Sequence, residues 1–536
     1  MLTLVVYSAF GQASRTERGQ VDSTGERAIS TKAQSFDGRI IDSIVIDSRN
    51  VFNTSHSPYN NILFRTANRI HRVTRKHVIA REFLFKVGQP FSARLAEETA
   101  RNLRTRYWLY DAWIEPDTLP NGHLLLKVNT IDEWSLRAWM SITRAANLTD
   151  YQFSVEETNF LGYNQYLSLY YFVPAVEANY TQIDFRDLRF LGRPYLIDLM
   201  YSGNPTQKIR RVTFARPYYN LLQRSSYEID VGNQSGRRDT YNDTVKTSQS
   251  QRSGDQDKIY FENRWGSYNR KVGASLEYDY RFERTFDTLT LDTTYPITFP
   301  ADTLYHQVTT DLYYAYIDYI KTRRINGFTY VEDIQTGYRL DLNFGRAFST
   351  HTHGKQFDVA GISATFGYRY ASHLFLLSYD RSFWFAKGTT LRRTTDLSCV
   401  YYNNGLSFVT LALRGVYQSD RRAYPAQDIG LDGATGLRGY DRYFRTGDRA
   451  MLFNIEGRFY PGLSLLDVLF GGVVFSDFGQ VWKPLASIPA DRFHWSVGAG
   501  LRISLEKITK NELVRIDVAY TESHTWQTAF GTSQYF

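Results

Sequence analysis

The chain has 536 residues, 43% of them hydrophobic and 16% aromatic, with 40 Tyr, 35 Phe and a formal net charge of +8. Its mean hydropathy is −0.41 and no apolar run approaches the roughly 18 residues that a spanning helix needs, which excludes a helical membrane protein. A polar average with abundant Tyr fits a strand-built membrane barrel and equally a large soluble β-sandwich, so composition does not choose between them.

In chain order, residues 1–11 read as the remnant of a secretory signal, with small residues at Ala9 and Gly11 and a mature chain starting near Gln12. The usual basic start is missing, so a misplaced start codon or ordinary apolar sequence remain alternatives. Residues 12–38 are rich in Ser, Thr, Gly, Gln and charge and read as a flexible leader. Residues 40–46 form a β-branched strand, 74–85 a helix, and Gly88-Gln89-Pro90-Phe91 a break. Ser92 then caps a second helix with Leu95, Thr99 and Leu103 on one face, although no Glu completes a capping box. Strands at 110–116 and 123–129 follow, joined by Pro120-Asn121-Gly122. Residues 39–131 are therefore expected to be a small α+β domain.

Between residues 64 and 110 eleven Lys/Arg face three acids. Solvated helix faces explain this, as does a module apposed to an anionic lipid surface or an acidic partner. Nucleic acid is not expected, because no recognition motif accompanies the charge.

From residue 132 to the end the period is two. Trp134, Leu136, Ala138, Met140 and Ile142 alternate with polar neighbours, apart from Trp139. Val272, Ala274, Leu276, Tyr278, Tyr280 and Phe282 alternate with Gly273, Ser275, Glu277 and their successors, and Trp495 to Ile503 repeats the pattern. Such a length of uninterrupted strand exceeds a sandwich, and closure into a barrel removes the edges it would expose. Counting alternating segments gives nearly twenty strands; splitting of long strands is one reason to settle on fewer. Connections alternate between short (159–164) and long, the latter read at 232–258 and 418–449. The lone Cys399 rules out an intramolecular disulfide and reads as a packing residue within a strand.

Two motifs stand near the end. Gly436-Leu437-Arg438-Gly439-Tyr440 lies in a long polar loop, four short strands by this reading from Phe536, and Phe475-Ser476-Asp477-Phe478-Gly479 lies in a strand that offers Arg438 a carboxylate. Glu456, in the preceding strand at a lumen-facing phase, is the expected second carboxylate, and Gly439 allows a tight turn at the tip. If Asp477 points inward then so do Val473, Phe475 and Val481, an apolar patch suited to a loop packing inside the lumen. The pair could equally be a purely structural stabiliser. No nucleophile elbow, phosphate loop, Cys pair or metallopeptidase motif occurs, and His351/His353 lack a third ligand, so neither an enzyme, a cofactor nor a metal is expected.

The order of elements in 39–131, with Phe85-Lys86-Val87-Gly88-Gln89-Pro90-Phe91 between its helices and Asp132-Glu133-Trp134 at its end, resembles a POTRA domain. The Arg438 loop and Asp477 strand together resemble the signature of the BamA/TamA outer-membrane assembly superfamily. The resemblance implies a 16-stranded antiparallel transmembrane β-barrel over 132–536, preceded by one periplasmic POTRA-like domain, in the bacterial outer membrane. It implies an anchor of Arg438, Gly439, Tyr440, Glu456, Phe475, Asp477 and Gly479, in which the arginine reaches an acidic cluster in the lumen. It further implies a weak client seam between strands at 134–143 and 526–536, carried by Trp134, Leu136, Phe530, Gly531 and Phe536, and a client-receiving POTRA edge strand with Tyr110, Trp113 and Glu115. The expected partners are outer-membrane lipid, unfolded barrel or secreted clients and periplasmic accessory proteins. The function implied is insertion or export of β-rich proteins; a passive channel or surface receptor is the alternative, and an exporter of one dedicated partner a third.

Overall fold

The computed structural model describes residues 31–536 apart from 57–58, 107–108, 146–147, 175–177, 206, 243–244, 291–302, 349–355, 423–428, 442–443, 466, 483–492, 509, 511–512 and 532. The expected signal, most of the expected leader and both His351 and His353 lie outside the described residues.

The N-terminal part holds helix α1 (Thr31–Gln34), strand β1 (Ile41–Arg49), helices α2 (Ile62–Ile70), α3 (Lys76–Ala80) and α4 (Ala93–Arg106), and strands β2 (Leu109–Thr118) and β3 (Leu124–Asp132). Its three-stranded sheet has the order β1-β3-β2, with β1 parallel and β2 antiparallel to β3. Ile41, Val78, Ile79, Phe85, Phe91, Leu103, Leu109, Leu124, Leu126 and Val128 close its core. Residues 31–38, expected to be leader, belong to the packed part: Phe36 rests on the core, and the Asp37 carboxylate accepts the Ala93 N–H at 2.6 Å, serving as a remote cap for α4. The helix expected over 74–85 is only the short α3. The chain after it is held by Thr99 Oγ1, which accepts the Leu84 N–H, so that Phe83 and Phe85 turn into the core. Helix α2 was not anticipated; Asn61 Oδ1 caps it by accepting the N–H groups of Leu63 and Phe64.

The remainder is a single antiparallel sheet of twenty strands among the described residues, ordered as a barrel. This corrects the expected sixteen. Neighbours in sequence pair residue by residue around the ring, from Leu136–Ala145 with Leu148–Glu157 to Leu513–Thr521 with Trp526–Gly531. The ring order brings Trp526–Gly531 back beside Leu136–Ala145; across that join no residue register is defined among the described residues. The first barrel strand starts at Leu136 and the last ends at Gly531, not at 134 and 536.

The sheet is inside out relative to a soluble protein. In the strand Arg270–Thr290, Val272, Leu276 and Tyr278 are exposed, whereas Lys271 and Ser275 are buried. In His494–Ser504, Val497 and Leu501 are exposed, while Ser496, Arg502 and Ser504 are buried. Tyr338, Leu340, Leu342 and Phe344 repeat the pattern on another strand. A water-soluble sandwich buries its apolar face; a barrel in hydrocarbon presents it. Cys399 lies exposed beside Leu377 on this outer face.

Strand length varies around the ring. Lys208–Arg216 has 9 residues, but Ser225–Asn242, Val245–Trp265, Arg270–Thr290 and Thr303–Thr322 have 18, 21, 21 and 20. Hydrocarbon needs only about 9–11 residues of tilted strand, so this wall projects beyond it, away from the N-terminal domain. The expected loop at 232–258 is therefore strand, paired from Ser225 opposite Asn263 to Asn242 opposite Val245 with one register shift between Thr240 and Tyr241. Above the membrane both faces of a ladder meet water, and alternation disappears while pairing persists. The expected loop at 418–449 is partly strand, up to Arg422; it then forms a small hairpin of Ile429–Leu431 with Arg445–Gly447.

The N-terminal domain sits against the turns at one end of the barrel. Arg104 donates from Nε and Nη2 to the two oxygens of Asp333 at 2.7 Å each, and from Nη2 to Glu97 at 2.8 Å. Glu82 accepts both Nε and Nη2 of Arg189, Asn102 donates to Tyr219 O at 2.7 Å, Glu98 accepts the Leu221 N–H at 2.6 Å, and Lys510 donates to the carbonyls of Arg104 and Leu109. The guanidiniums of Arg101 and Arg75 stack over Tyr319 and Tyr163 at 3.6 and 4.1 Å. Part of the basic excess of 64–110 is thus met by acids, carbonyls and rings, among them several on the barrel rim. Arg65, Arg69, Lys76, Arg81 and Lys86 remain exposed.

Candidate functional site in the barrel lumen

The Arg438 loop folds back into the barrel. Its side chain is fully buried and donates from Nε and Nη2 to Asp477 Oδ2 and Oδ1, both at 2.7 Å, and from Nη1 to Glu456 Oε1 at 2.6 Å. The Arg438 N–H adds a bond to Asp477 Oδ2 at 3.2 Å. A planar fork on a planar carboxylate fixes orientation as well as charge. Phase explains why these groups meet: Val473, Phe475, Asp477 and Gly479 are buried at alternate positions of Val468–Trp482, and Glu456 is buried in Arg449–Leu465.

Phe475 supplies the floor, with the guanidinium 3.6 Å above its ring. Leu431 and Leu437 pack on Leu452, Val416 and Val481, so the apolar patch in the lumen is covered by the loop itself. Gly439 takes φ +89°, where a Cβ would meet Thr521 and Ala519 at 2.8 and 2.9 Å. A Cβ at Gly479 would lie 2.8 Å from Leu431 Cδ1, so this position leaves the loop room to approach. Tyr440 Oη donates to Trp495 O at 2.8 Å and ties the tip to a third strand.

Several members were missed by the sequence reading. Asp517 lies 3.8 Å from Arg438 Nη1 and is paired with Arg502 at 2.6 Å and Arg515 at 3.4 Å. Arg458 donates to Glu456 Oε2 at 2.8 Å, and Asn454 Nδ2 donates both to Gly436 O and to Asp477 Oδ1 at 2.7 Å. Arg458 and Arg502 occupy the inward phase of alternating strands, a visible signal. Charges at that phase in neighbouring strands are too costly to bury singly and must find one another.

The C-terminal residues differ most from expectation. After Gly531 the chain leaves the strand and enters the lumen. Gln534 accepts from Arg502 Nε at 3.2 Å, Tyr535 Oη donates to Gly433 O, and the Tyr535 ring lies 4.2 Å from the Arg438 guanidinium. Phe536 O accepts from Arg458 Nη2 at 2.7 Å and from Tyr402 Oη at 3.4 Å. Phe536 is therefore no member of a seam strand. The polar residues at 532 and 534, odd for a lipid-facing end, make sense for Gln534, which is buried among arginine and Tyr460.

The other expected seam residues do lie near the join. Leu136 and Phe530 are exposed on the outer face and Gly531 ends the last strand opposite Arg515. Trp134 precedes the first strand; its N–H donates to Lys507 O at 2.7 Å and its ring packs against Val51, Phe52 and Phe64. In the N-terminal sheet, β2 is an outer strand. Its Tyr110 Oη sits 3.2 Å from Thr329 Oγ1, the Trp113 ring lies 5.6 Å from the Arg49 guanidinium, and Glu115 accepts from Asn129 Nδ2 at 3.2 Å.

A second segment crosses the lumen from the N-terminal side. The turn at 323–331 puts Ile325 among Leu374, Tyr402 and Ala412, and Phe328 against Tyr460 and Leu513, on strands well around the ring. Glu506 accepts the N–H groups of Phe328 and Thr329, and Arg458 Nη1 donates to Ile325 O at 2.6 Å.

At the join between the N-terminal domain and the first barrel strand, burial pushes the Asp132 carboxyl up to about 7, with bonds from the Thr74 N–H and Oγ1 partly opposing it. Burial lowers the nearby His71 to about 4. Because Asn50 offers its Oδ1 to the ring at 3.0 Å while its Nδ2 donates to Asn68 O, the neutral His71 ring carries its proton on Nδ1 and leaves Nε2 as an acceptor 3.8 Å from Asp132 Oδ2.

No family model matches the sequence, and no curated protein matches it. Among solved structures the chain is similar to BamA from Haemophilus ducreyi lacking POTRA domains 1–3, at 10% identity over 92% of this chain and 84% of that one, with a TM-score of 0.38. It is similar to CdiB from Acinetobacter baumannii at 12% identity, over 93% and 74% of the chains, and to CdiB from Escherichia coli at 11%, over 97% and 91%, each with a TM-score of 0.42.

Proposed function

We propose that this chain is an outer-membrane protein assembly factor of the BamA/TamA kind, which inserts or exports β-rich clients by physical means. The observation that carries the reading is the uneven ring. Every other neighbouring pair in the ring has a defined register of six residue pairs or more, while the six-residue strand Trp526–Gly531 meets the first strand with none among the described residues. A weak join offers unpaired backbone groups to a client strand, which adds by β-augmentation, and hydrocarbon makes such pairing strongly favourable because water supplies no alternative partner.

The occupied lumen favours this reading over a passive channel. A conducting pore needs an open path, whereas here the Arg438 loop, the C-terminal residues and the turn at 323–331 all cross the interior. The N-terminal domain acts as the periplasmic, POTRA-like unit, with β2 as its outer edge for clients or accessory proteins. The barrel exterior takes the lipid, and no cofactor enters the mechanism.

The test is reconstitution in liposomes with unfolded outer-membrane clients. In a Cys399→Ser background, a panel of cysteine pairs between Leu136–Ala145 and Trp526–Gly531 locks the join. Locking abolishes client folding and reduction restores it; equal folding rates in the locked and reduced states, with disulfide formation verified, overturn the reading in favour of a channel or receptor.

A further inference from the structure

Helix α2 carries an unpartnered apolar arc on the outside of the molecule. At about 100° per residue, Ile62, Thr66, Ile70 and Leu63 fall within one contiguous arc, Arg69 and Arg65 line its edge beside Ile62, and Phe64 points to the opposite side. The burial agrees: Phe64 is buried against Val51 and Phe52, whereas Ile62 is 77% and Ile70 62% exposed and Leu63 is exposed too. A water-facing helix has no reason to place two isoleucines and a leucine on its outer arc. One packed on an unseen core would not line an edge of that arc with two exposed arginines.

Its surroundings say what covers it. The segment leading into α2 is fixed to the barrel rim, with Tyr59 Oη donating to Asp467 Oδ1 at 2.6 Å and Lys507 Nζ to Tyr59 Oη at 3.3 Å. The exposed Leu463 and Leu465 end the strand just before Asp467, continuing the outer apolar belt to that point. The far end of α2 runs into His71, whose ring is 6.1 Å from that of Trp134 at the start of the first barrel strand. The helix thus lies along the rim between the turn at Asp467 and the first strand, the sector that contains the join.

We propose that α2 is an interfacial anchor that beds Ile62, Leu63 and Ile70 into the phospholipid leaflet bordering the barrel on its N-terminal-domain side, with Arg65 and Arg69 on lipid phosphates. This rests on the membrane-barrel reading above. A short amphipathic helix with apolar residues on one face and basic residues beside them enters an interface to about 5–10 Å. Here the barrel supplies the remaining affinity by holding the helix at the right height, so nine residues suffice. The consequence is local: the leaflet is pinned where the first and last strands meet.

The test uses the full chain in proteoliposomes containing anionic phosphatidylglycerol, at low protein-to-lipid ratio. An environment-sensitive probe goes on native Cys399 or, in a Cys399→Ser background, on Ile62→Cys, Ile70→Cys or Lys76→Cys. Probes at 62 and 70 should be quenched by nitroxides near the lipid headgroup and lose quenching by aqueous iodide, whereas the probe at 76 stays iodide-accessible. Ile62→Glu with the probe at 70 should restore iodide access. Iodide access at 62 and 70 equal to that at 76 overturns the inference, and protection that grows with protein-to-lipid ratio assigns the arc to a second copy and overturns it too. The Cys399 probe separates the two levels: lipid quenching there with none at 62 and 70 rejects the anchor alone, and its absence rejects the membrane barrel.

Discussion

Removing the Arg438 guanidinium should release the lumenal loop. Arg438→Ala deletes the side-chain bonds to Asp477 and Glu456 and leaves two carboxylates that no solvent reaches. Breaking one partner of a buried pair costs about 3–5 kcal/mol. Glu456 keeps Arg458, and Asp477 keeps Asn454 and the backbone N–H of residue 438, so the lower end applies. About 3 kcal/mol raises the released population on the order of 100-fold. Proteolysis at low protease follows that population when opening is fast, so the cleavage rate of the loop in folded proteoliposomes should rise by a comparable factor while the barrel stays heat-modifiable. Arg438→Lys should fall between, because a point charge cannot span both oxygens of Asp477 while also reaching Glu456. A double-mutant cycle with Asp477→Ala should return a coupling of about 0.5–3 kcal/mol. Unchanged cleavage in Arg438→Ala, or strict additivity in the cycle, refutes the reasoning.

The remaining predictions concern the joints around this site. Asp132 holds its proton in the folded state up to about 7 against an ordinary 3.8, so its contribution falls as pH rises across that window, by up to about 1.4 kcal/mol per unit; His71, lowered to about 4 from 6.5, contributes in the opposite sense and loses stability as pH drops through 6.5 toward 4. Asp132→Asn removes only the first term, so its stability relative to wild type should climb from pH 4 to 7 in hydrogen exchange at residues 71–74, and a pH-independent difference would refute the assignment. Tyr535→Ala loses the bond to Gly433 O and the ring beside Arg438, which together contribute about 1–3 kcal/mol; exchange at 431–440 should quicken, and unaltered protection would show that the C-terminal residues do not hold the loop. Asp333→Ala should leave Arg104 at the domain interface with Glu97 as its remaining carboxylate and the Ala112 carbonyl beside it, at a cost of about 3 kcal/mol, the lower end for a broken buried pair, read as faster exchange at 323–331. The swap Arg104→Asp with Asp333→Arg should recover part of it; a swap no better than the single variant would show that charge pairing is not what joins the two parts.

The readable parts of this chain were those where a physical constraint reaches the sequence directly. Lipid on one side of a strand and a polar lumen on the other force a period of two, so Arg270–Thr290 and His494–Ser504 could be placed with their faces. Ser225–Asn242 and Val245–Trp265 were unreadable as strands for the complementary reason: water on both faces erases alternation, and the pairing that remains is backbone to backbone. Sixteen was preferred to the nearly twenty counted because the family resemblance implied it and because long strands projecting beyond the membrane offered a way for the count to be inflated. Within the lumen, Glu456 and Asp477 were legible because each is a charge at an inward phase, and Arg438 because its Leu-Arg-Gly-Tyr loop motif resembles that of a family whose arginine reaches such carboxylates. Asp517 and Arg515 lie in the short strand Leu513–Thr521, near a chain end assumed to run straight on. The inward turn of Gln534, Tyr535 and Phe536 depends on arginines from distant strands, and no local pattern announces it. Helix α2 escaped because nine residues with a polar average give a weak periodic signal until burial separates Phe64 from Ile62 and Ile70.

An apolar seal alone would have sufficed to close this lumen, since Leu431 and Leu437 already cover Leu452, and replacing a buried ion pair by apolar groups is often neutral or stabilising. What the charges add is direction and dependence on partners. Arg458 donates to Glu456, to Ile325 O and to Phe536 O, so the surface loop, the turn at 323–331 and the C-terminal residues converge on one side chain. That turn in turn meets the N-terminal domain at Thr329 and Tyr110, with Arg104 on the adjacent Asp333. Displacing the domain therefore pulls on contacts that lead within a few side chains to Arg438. Buried charges cannot be left half-paired at low cost, so such a network tends to exchange partners as a unit instead of stretching. Physical coupling needs an element with two arrangements whose balance both ends bias. The loop meets that requirement if the release predicted for Arg438→Ala is also produced, in the wild-type side-chain set, by loosening Asp333 at the domain interface. Proteolysis of the loop in Asp333→Ala is the direct reading of that link, and a loop as resistant as wild type would confine the N-terminal contacts to docking.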